Sequence, residues 1–249
     1  MLVGRHVIEV MGTVFSLDLR EPVEASALQR VTADLQWIDA TFSTYRPDSQ
    51  VSRLGAGHLR LEDAAPELTE VLDLCASYSA VTRGYFTANL QGRLDPSGLV
   101  KGWAIRRACN LLVEAGSHRH MVNGGGDVQT VGDAGAGRPW GVAVVDPHRP
   151  GQVATVVYGT GIAVATSGTA ERGEHILNPF TGRPATELSS VTVVGPDIVA
   201  ADVYATAAVA QGGSARSWVE TLSGYDAYAV TRDGAVWATP GFARYTLPS

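Results

Sequence analysis

The first half of the chain carries hydrophobic patterns of both strand and helix type. Residues 5–19 alternate in the manner of a strand pair, broken at Gly12. Residues 24–42 place their apolar side chains on one stripe, which predicts an amphipathic helix. Pro66 stands where a second helix would have its first turn, and a third helix is predicted after a turn at Asp95.

The second half is richer in strands. Strand-like segments occupy residues 121–123, 140–146, 153–158, 162–166 and 191–195. One further helix is predicted over residues 198–211, and a last hairpin over residues 227–238 around Asp233-Gly234. Helices and strands are partly segregated along the chain, which favours an α+β fold over a doubly wound sheet. No internal repeat or linker interrupts residues 1–249, so we expect a single domain.

Composition and charge narrow the class of protein. The chain is 45% hydrophobic and 18% charged, as is typical of a globular protein. Its formal net charge of −6 argues against a nucleic-acid partner, which needs a basic face, but allows a small anionic ligand. No apolar run is long enough to span a bilayer, so we expect no membrane partner. The N-terminus lacks the pattern of a signal peptide, which indicates a cytoplasmic protein.

Cys75 and Cys109 each lie within a helical pattern, and no Cys-x-x-Cys motif occurs. A zinc or redox pair therefore has no support. We expect both thiols to be buried and to behave as small apolar side chains.

Asp95-Pro-Ser-Gly98 is a turn sequence followed by Lys101 near the start of the predicted helix. Helix N-termini attract anions, so a lysine is out of place there unless an anion lies beside it. The alternative is an ordinary exposed turn and an exposed lysine.

Three consecutive glycines precede Asp127, directly after a predicted strand. Such a run is expected where the backbone approaches a ligand closely or adopts positive φ, although a structural bulge is an equal alternative. The spacing is not that of a dinucleotide-binding motif.

Thr166-Ser-Gly168 ends an apolar strand, and Arg172 and His175 follow within a few residues. The motif is not a Gly-x-Ser-x-Gly elbow, so a serine hydrolase is disfavoured. A histidine in a loop is usually structural, but here it shares a short segment with an arginine and a hydroxyl turn. We interpret the segment as part of a functional site.

Asp202 and Thr206 lie four residues apart on an otherwise apolar helix, and therefore on the same helical face. A buried carboxylate needs a partner, and carboxylate and hydroxyl oxygens are ligands that Mg²⁺ accepts together with substrate phosphates. The alternative is a surface aspartate and a threonine bonded to its own helix.

Six ordered motifs within about residues 8–212 resemble one known family, the ApbE flavin transferases. The motifs are Met11-Gly-Thr13, Phe42-Ser-Thr-Tyr45, Asp95 with Lys101-Gly102, Gly125-Gly-Asp127, Thr166-Ser-Gly168 with His175-Ile-Leu-Asn-Pro179, and Asp202 with Thr206. The resemblance implies an α+β, T-fold-like domain with mixed or antiparallel sheets and packed helices.

The same resemblance implies an FAD:protein FMN transferase. FAD would be the substrate, and Mg²⁺ would assist transfer of FMN to a Thr or Ser hydroxyl of an acceptor flavoprotein, with release of AMP. The acceptor would carry a motif such as Asp-Gly-x-Thr-Ser-Gly-Ala-Thr. By resemblance, Gly98 (through its carbonyl), Asp202 and Thr206 would bind the metal, and His175 would be catalytic. The residues expected to contact FAD are Met11, Tyr45, Thr87, Ala88, Asp95, Lys101, Ser167 and His175.

The chain departs from the family pattern between Gly84 and Asp95, where the family commonly has a longer insertion. The segment expected next to the adenosine end of FAD is therefore short. No exported lipoprotein leader precedes the first motif, which indicates an acceptor inside the cell.

Two alternatives to the transferase stay open. Water could replace the acceptor hydroxyl, which would make the protein an FAD pyrophosphatase that yields FMN and AMP. A flavin-binding protein without turnover is the other alternative. The presence of Asp202, Thr206 and His175 together favours an enzyme, because flavin binding alone needs no metal.

Overall fold

A computed structural model describes residues 1–168 and 176–247 of the chain. The helices are α1 Ala25–Phe42, α2 Gln50–Gly55, α3 Pro66–Val81, α4 Ser97–Glu114, α5 Ile198–Gln211 and α6 Ala215–Val219. The strands are β1 Leu2–Val10, β2 Thr13–Val23, β3 Asn89–Leu90, β4 Arg93–Leu94, β5 His120–Gly124, β6 Asp127–Val131, β7 Trp140–Val145, β8 Val153–Gly159, β9 Ala163–Gly168, β10 Leu188–Gly195, β11 Asp226–Thr231 and β12 Val236–Ala238.

One large sheet organises the molecule. Eight strands pair in the order β1-β2-β5-β6-β9-β10-β11-β12, and every neighbouring pair is antiparallel. The hairpins β3–β4 and β7–β8 form two further small sheets. The predicted α+β class is confirmed, with helices packed against an antiparallel sheet.

Tight turns join β1 to β2 and β5 to β6, and both turns line the functional cleft described below. Met11 and Gly12 connect β1 to β2 with φ of 57° and 66°, and Gly125 and Gly126 connect β5 to β6 with φ of 60° and 98°. Two consecutive positive φ values match the right-handed twist of a hairpin. The glycine run before Asp127 therefore makes a turn, and Met11 adopts a conformation uncommon for a side chain of its size.

Helix α5 forms the centre of the core. It contacts β9 and β10 on one side and α4 on another, and it is buried along nearly its whole length. A helix that is apolar on all sides belongs in such an interior position. In the described ranges, α5 and the other helices are all too short or too polar to cross a membrane.

Gly102 sets the distance between α4 and α5. A Cβ atom at this position would lie 2.9 Å from the carbonyl oxygen of Ile198 and 3.1 Å from the Cα of Val199. Backbone atoms cannot move aside as the end of a side chain can. The two helices therefore approach closely only because residue 102 has no side chain.

We predict that Gly102→Ala lowers the free energy of unfolding by about 1–3 kcal/mol, because overpacking outweighs the better helix propensity of alanine. Urea denaturation measures the change. Gly55→Ala in α2 is the matched control, since its new methyl group would meet only the Leu94 Cβ at 3.5 Å. Equal stability of Gly102→Ala and Gly55→Ala would contradict the close contact.

Both cysteines are buried, as predicted. Burial raises the pKa of Cys75 to about 12, and it raises the pKa of Cys109 as well. Thiols that stay protonated are poor nucleophiles and poor metal ligands. The two cysteines therefore act as buried apolar side chains of the hydrophobic core.

His120 is a buried histidine at the start of β5. Its Nδ1 lies 3.2 Å from the Ser117 hydroxyl, and its Nε2 has no hydrogen-bond partner among the described residues. Burial is the main cause that lowers the pKa of His120 from 6.5 to about 4. The folded protein therefore holds this imidazole neutral at pH values where an unfolded chain would protonate it.

This difference predicts a loss of stability in acid. Above pH 6.5 neither state is charged, and as the pH falls toward 4 the unfolded state alone gains the proton. We expect His120 to contribute a loss of about 2.5 kcal/mol between pH 7 and pH 4.5. His120→Met should lose correspondingly less stability over this interval, as measured by urea denaturation at each pH. Identical pH dependence in the two proteins would show that His120 does not titrate in this way.

Candidate functional site

A deep cleft of about 1330 Å³ opens where several turns and helix ends meet. Its walls come from the end of α1, the β1–β2 and β5–β6 turns, hairpin β3–β4, strand β7, the end of β9, and helices α4 and α5. The residues of the predicted site that line it are Met11, Tyr45, Thr87, Asp95, Gly98, Lys101, Ser167, Asp202 and Thr206. The fold thus brings together positions that lie up to 195 residues apart.

A buried charge cluster, formed by Lys101, Asp127 and Asp202, lies at the closed end of the cleft. The Lys101 Nζ is 2.7 Å from the Asp127 Oδ2 and 3.8 Å from the Asp202 Oδ1. Both aspartates are almost fully buried: 1% of the surface of Asp127 and 2% of that of Asp202 is exposed. Lys101 therefore has carboxylates of the protein itself as its anionic partners, one from β6 and one from α5.

Close packing of the helices completes this cluster. The backbone N–H of Gly102 donates a hydrogen bond of 3.1 Å to the Asp202 Oδ2. A larger residue at position 102 would also crowd Asp202, because its Cβ would lie 3.2 Å from that of the aspartate. The Lys-Gly pair of the sequence therefore supplies one ammonium and one close backbone donor to the same carboxylate.

The charge cluster holds more negative than positive charge. Burial raises the pKa of Asp202 above its usual value, the nearby Lys101 ammonium opposes this shift, and the neighbouring Asp127 carboxylate adds to it. Two buried carboxylates facing one ammonium are incompletely neutralised. A second cation next to Asp202 would restore the balance.

Paired hydroxyls lie beside the charge cluster. The Ser167 Oγ and the Thr206 Oγ1 are 3.0 Å apart, and Thr206 is one helical turn beyond Asp202. Gly98 is adjacent, since a Cβ there would lie 4.0 Å from the Thr206 Cγ2. Carboxylate, hydroxyl and backbone carbonyl oxygens form a donor set that suits a hard divalent cation.

In the described part of the chain, no group of three His, Cys, Asp or Glu side chains is arranged to hold a metal ion. A cation at this site would therefore depend on the hydroxyl and carbonyl oxygens as well as on carboxylate. It would also need ligands from a bound substrate. This is the mode that Mg²⁺ uses with phosphorylated substrates.

Asp127 belongs to one of the six motifs, but our sequence analysis assigned it no role in the site. The Gly125-Gly126 turn places it at the first position of β6, and its Oδ1 accepts a hydrogen bond of 3.0 Å from the Thr166 backbone N–H. Asp127 thus links the end of β9 to the charge cluster. The sequence signal that could have identified Asp127 is an acidic residue directly after a run of glycines.

Asp95 shapes the approach to α4. Its carboxylate accepts a hydrogen bond of 3.0 Å from the Ser97 N–H, and its own N–H donates one of 2.7 Å to the Ala88 carbonyl. Ala88 is not part of the cleft lining. Its position indicates that it supports Asp95, and a contact between Ala88 and FAD stays a prediction.

Aromatic side chains mark the mouth of the cleft. Tyr45 is 92% exposed, although it follows the buried end of α1. The rings of Tyr85 and Phe180 meet edge to face with centroids 4.9 Å apart. An exposed tyrosine beside an open cleft provides a surface on which a planar ring can stack.

Arg172 and His175, the other two residues singled out by the sequence, lie outside the described ranges. The assignment of His175 as a catalytic residue therefore stays a prediction. The segment that carries it starts directly after Gly168, at the end of a strand whose Ser167 lines the cleft.

A model of the ApbE family matches the chain over residues 11–92 and 87–229. The two matched segments meet at residues 87–92, within the stretch that is short in this chain. The six motifs lie within the matched residues.

Two known proteins with similar sequences are FAD:protein FMN transferases. A FAD:protein FMN transferase of Rhodobacter capsulatus is 34% identical over 204 residues, which are 78% of this chain and 36% of that protein. That of Escherichia coli (strain K12) is 30% identical over 167 residues, or 62% of this chain and 48% of that protein. This chain therefore matches between about a third and a half of these relatives' length.

The crystal structure of the ApbE protein of Thermotoga maritima has the same fold. It superimposes with a TM-score of 0.89 at 21% identity and covers 99% of this chain and 100% of that one. The α+β architecture predicted from the sequence is thus also the architecture of a solved ApbE protein.

The pairing of Lys101 with two buried carboxylates predicts how substitutions at this cluster change stability. Lys101→Met should lower the free energy of unfolding by about 3 kcal/mol in a buffer with chelator, because two buried carboxylates lose their ammonium. Adding Asp127→Asn to Lys101→Met should recover part of that loss, because one buried charge is removed. Denaturant unfolding of both variants tests this. A double variant less stable than the single one would contradict the pairing.

Proposed function

The chain belongs to the ApbE family, and we propose that it is an FAD:protein FMN transferase. In this proposal it moves FMN from FAD to a Thr or Ser hydroxyl of an acceptor protein and releases AMP. The observation that carries the proposal is the buried charge cluster beside the Ser167–Thr206 hydroxyl pair at the closed end of a large cleft. Similarity to FAD:protein FMN transferases of other bacteria supports the same activity.

The size of the cleft suits a dinucleotide. Its volume of about 1330 Å³ exceeds the range of roughly 300–1,000 Å³ that is usual for sites of small ligands. FAD would fill most of it, and its open mouth would leave a path for an acceptor side chain. Tyr45 and Met11 would contact a flavin or adenine ring at that mouth, with Thr87 and Asp95 along the wall.

The reaction breaks the phosphoanhydride bond of FAD and forms a phosphate ester with the acceptor. The acceptor hydroxyl oxygen attacks the phosphorus of the FMN half, the bond from that phosphorus to the AMP oxygen breaks, and the electron pair leaves with AMP. The hydroxyl proton passes to a base, for which His175 is our candidate. Such a step depends mainly on positioning and on neutralisation of charge.

The charged side chains of the cleft need help to hold a pyrophosphate. In the described ranges, Arg93 and Lys101 line it together with Asp39, Asp95 and Asp202, so acids outnumber bases. We propose that Asp202, the Thr206 hydroxyl and the Gly98 carbonyl hold Mg²⁺. When bound, this ion would neutralise phosphate charge. Lys101, kept in place by Asp127, would stabilise the remaining charge on the phosphates.

We predict that Asp202→Asn lowers the Mg²⁺-dependent rate of AMP release from FAD at least a hundredfold, because it removes a charged ligand that acts on the phosphates. The assay is AMP release in the presence of an acceptor peptide, with and without Mg²⁺. Asp197→Asn is the control on the same helix. Asp197 caps α5 through a 3.0 Å hydrogen bond from the Ala200 N–H, and asparagine caps equally well.

Asp197→Asn should keep the wild-type rate. An Asp202→Asn protein with unchanged turnover in saturating Mg²⁺ would refute the role of Asp202. Mg²⁺-dependent AMP release that leaves the peptide unmodified would point instead to FAD hydrolysis.

A further inference from the structure

The short hairpin β3–β4 holds an arginine over the cleft. Gln91 and Gly92 form its turn with φ of 54° and 80°, and Leu90 pairs with Arg93 across it. Arg93 is exposed and lines the cleft, as does Asp95 two residues later. Arg93 and Asp95 are two residues apart in an extended segment, so both side chains face the cleft.

Two contacts fix the position of this hairpin. The intervening residue, Leu94, packs beside Gly55 of α2, where a Cβ at Gly55 would lie 3.5 Å from the Leu94 Cβ. At the base, the Asp95 N–H donates to the Ala88 carbonyl at 2.7 Å. The hairpin that carries Arg93 is therefore closed at its base and packs against α2.

The charge of Arg93 has no internal partner among the described residues, where its guanidinium makes no ion pair or hydrogen bond. The other described cation of the cleft, Lys101, lies 2.7 Å from Asp127 and 3.8 Å from Asp202. Arginine presents several donors that match phosphate oxygens, often two at a time. Arg93 is thus the cation at the cleft mouth that is available to an incoming anion.

The closed end and the mouth differ in what they can hold. Asp202 lines the cleft and is almost fully buried, whereas Arg93 lines it and is exposed, so the open path for a leaving group runs past Arg93. In the proposed reaction the leaving group is AMP, whose phosphate takes up negative charge as the P–O bond breaks. Arg93 lies on the side from which AMP must leave.

We propose that Arg93 is a specificity-determining residue that binds the adenylate phosphate of FAD and stabilises the charge developing on AMP. It thereby distinguishes FAD from FMN, which lacks the adenylate half. This inference rests on the proposed function, and it assigns to the short hairpin a task in substrate selection.

The test compares Arg93→Gln with Arg53→Gln. Arg53 is also exposed, belongs to neighbouring α2 and does not line the cleft, so the control removes an equal charge nearby. Equilibrium binding of FAD and of FMN is followed by flavin fluorescence, and AMP release is measured in parallel. We expect Arg93→Gln to weaken FAD binding about tenfold, as loss of a charged hydrogen bond does, with FMN binding changed less than twofold.

Arg53→Gln should bind both flavins as the wild type does, and kcat/KM for FAD should fall about tenfold only in Arg93→Gln. Unchanged FAD binding and turnover in Arg93→Gln would overturn the inference while leaving the proposed function intact. Equal weakening of FAD and FMN would also overturn it, because the residue would then act on the fold of the cleft. A wild-type protein that neither binds FAD nor releases AMP would overturn the proposed function itself, and the inference with it.

Discussion

The structure of the site depends on burying two carboxylates around one ammonium. Asp127 and Asp202 are almost fully withdrawn from solvent, and the Lys101 ammonium and the backbone N–H groups of Gly102 and Thr166 compensate them. Such burial is costly unless charge and hydrogen bonds are closely matched. The match requires α4 and α5 to approach at backbone distance, which only a glycine at position 102 permits.

This arrangement gives the cleft its chemistry. The excess negative charge would favour a bound cation, the hydroxyls of Ser167 and Thr206 offer neutral oxygens beside it, and the cleft is open to large ligands. In the proposed function, such a site would act on phosphates by neutralising charge and by positioning. It needs no covalent intermediate on the protein. The family match and the fold shared with the Thermotoga maritima protein place this cleft within an ApbE fold.

Sequence patterns predicted what depends on local periodicity. Helix α5 has the predicted bounds because it is apolar along nearly its whole length, and the β1–β2 pair breaks at Gly12 as expected. Strand β6 was missed because polar residues interrupt Asp127–Val131, and helix α6 was missed because five residues are too few to show a period. The pairing of Lys101 with Asp127 joins a helix to a distant hairpin, and only the folded chain reveals such a contact.

We propose that the protein uses the site around this buried charge cluster to transfer FMN from FAD to a protein hydroxyl. The most direct measurement is the ratio of FMN attached to an acceptor peptide to AMP released, with intact mass of the peptide read after incubation with FAD and Mg²⁺. The peptide carries an Asp-Gly-x-Thr-Ser-Gly-Ala-Thr stretch. We predict one FMN attached for each AMP released, and neither product without the divalent cation. AMP without modified peptide, or bound FAD that stays intact, would contradict the claim.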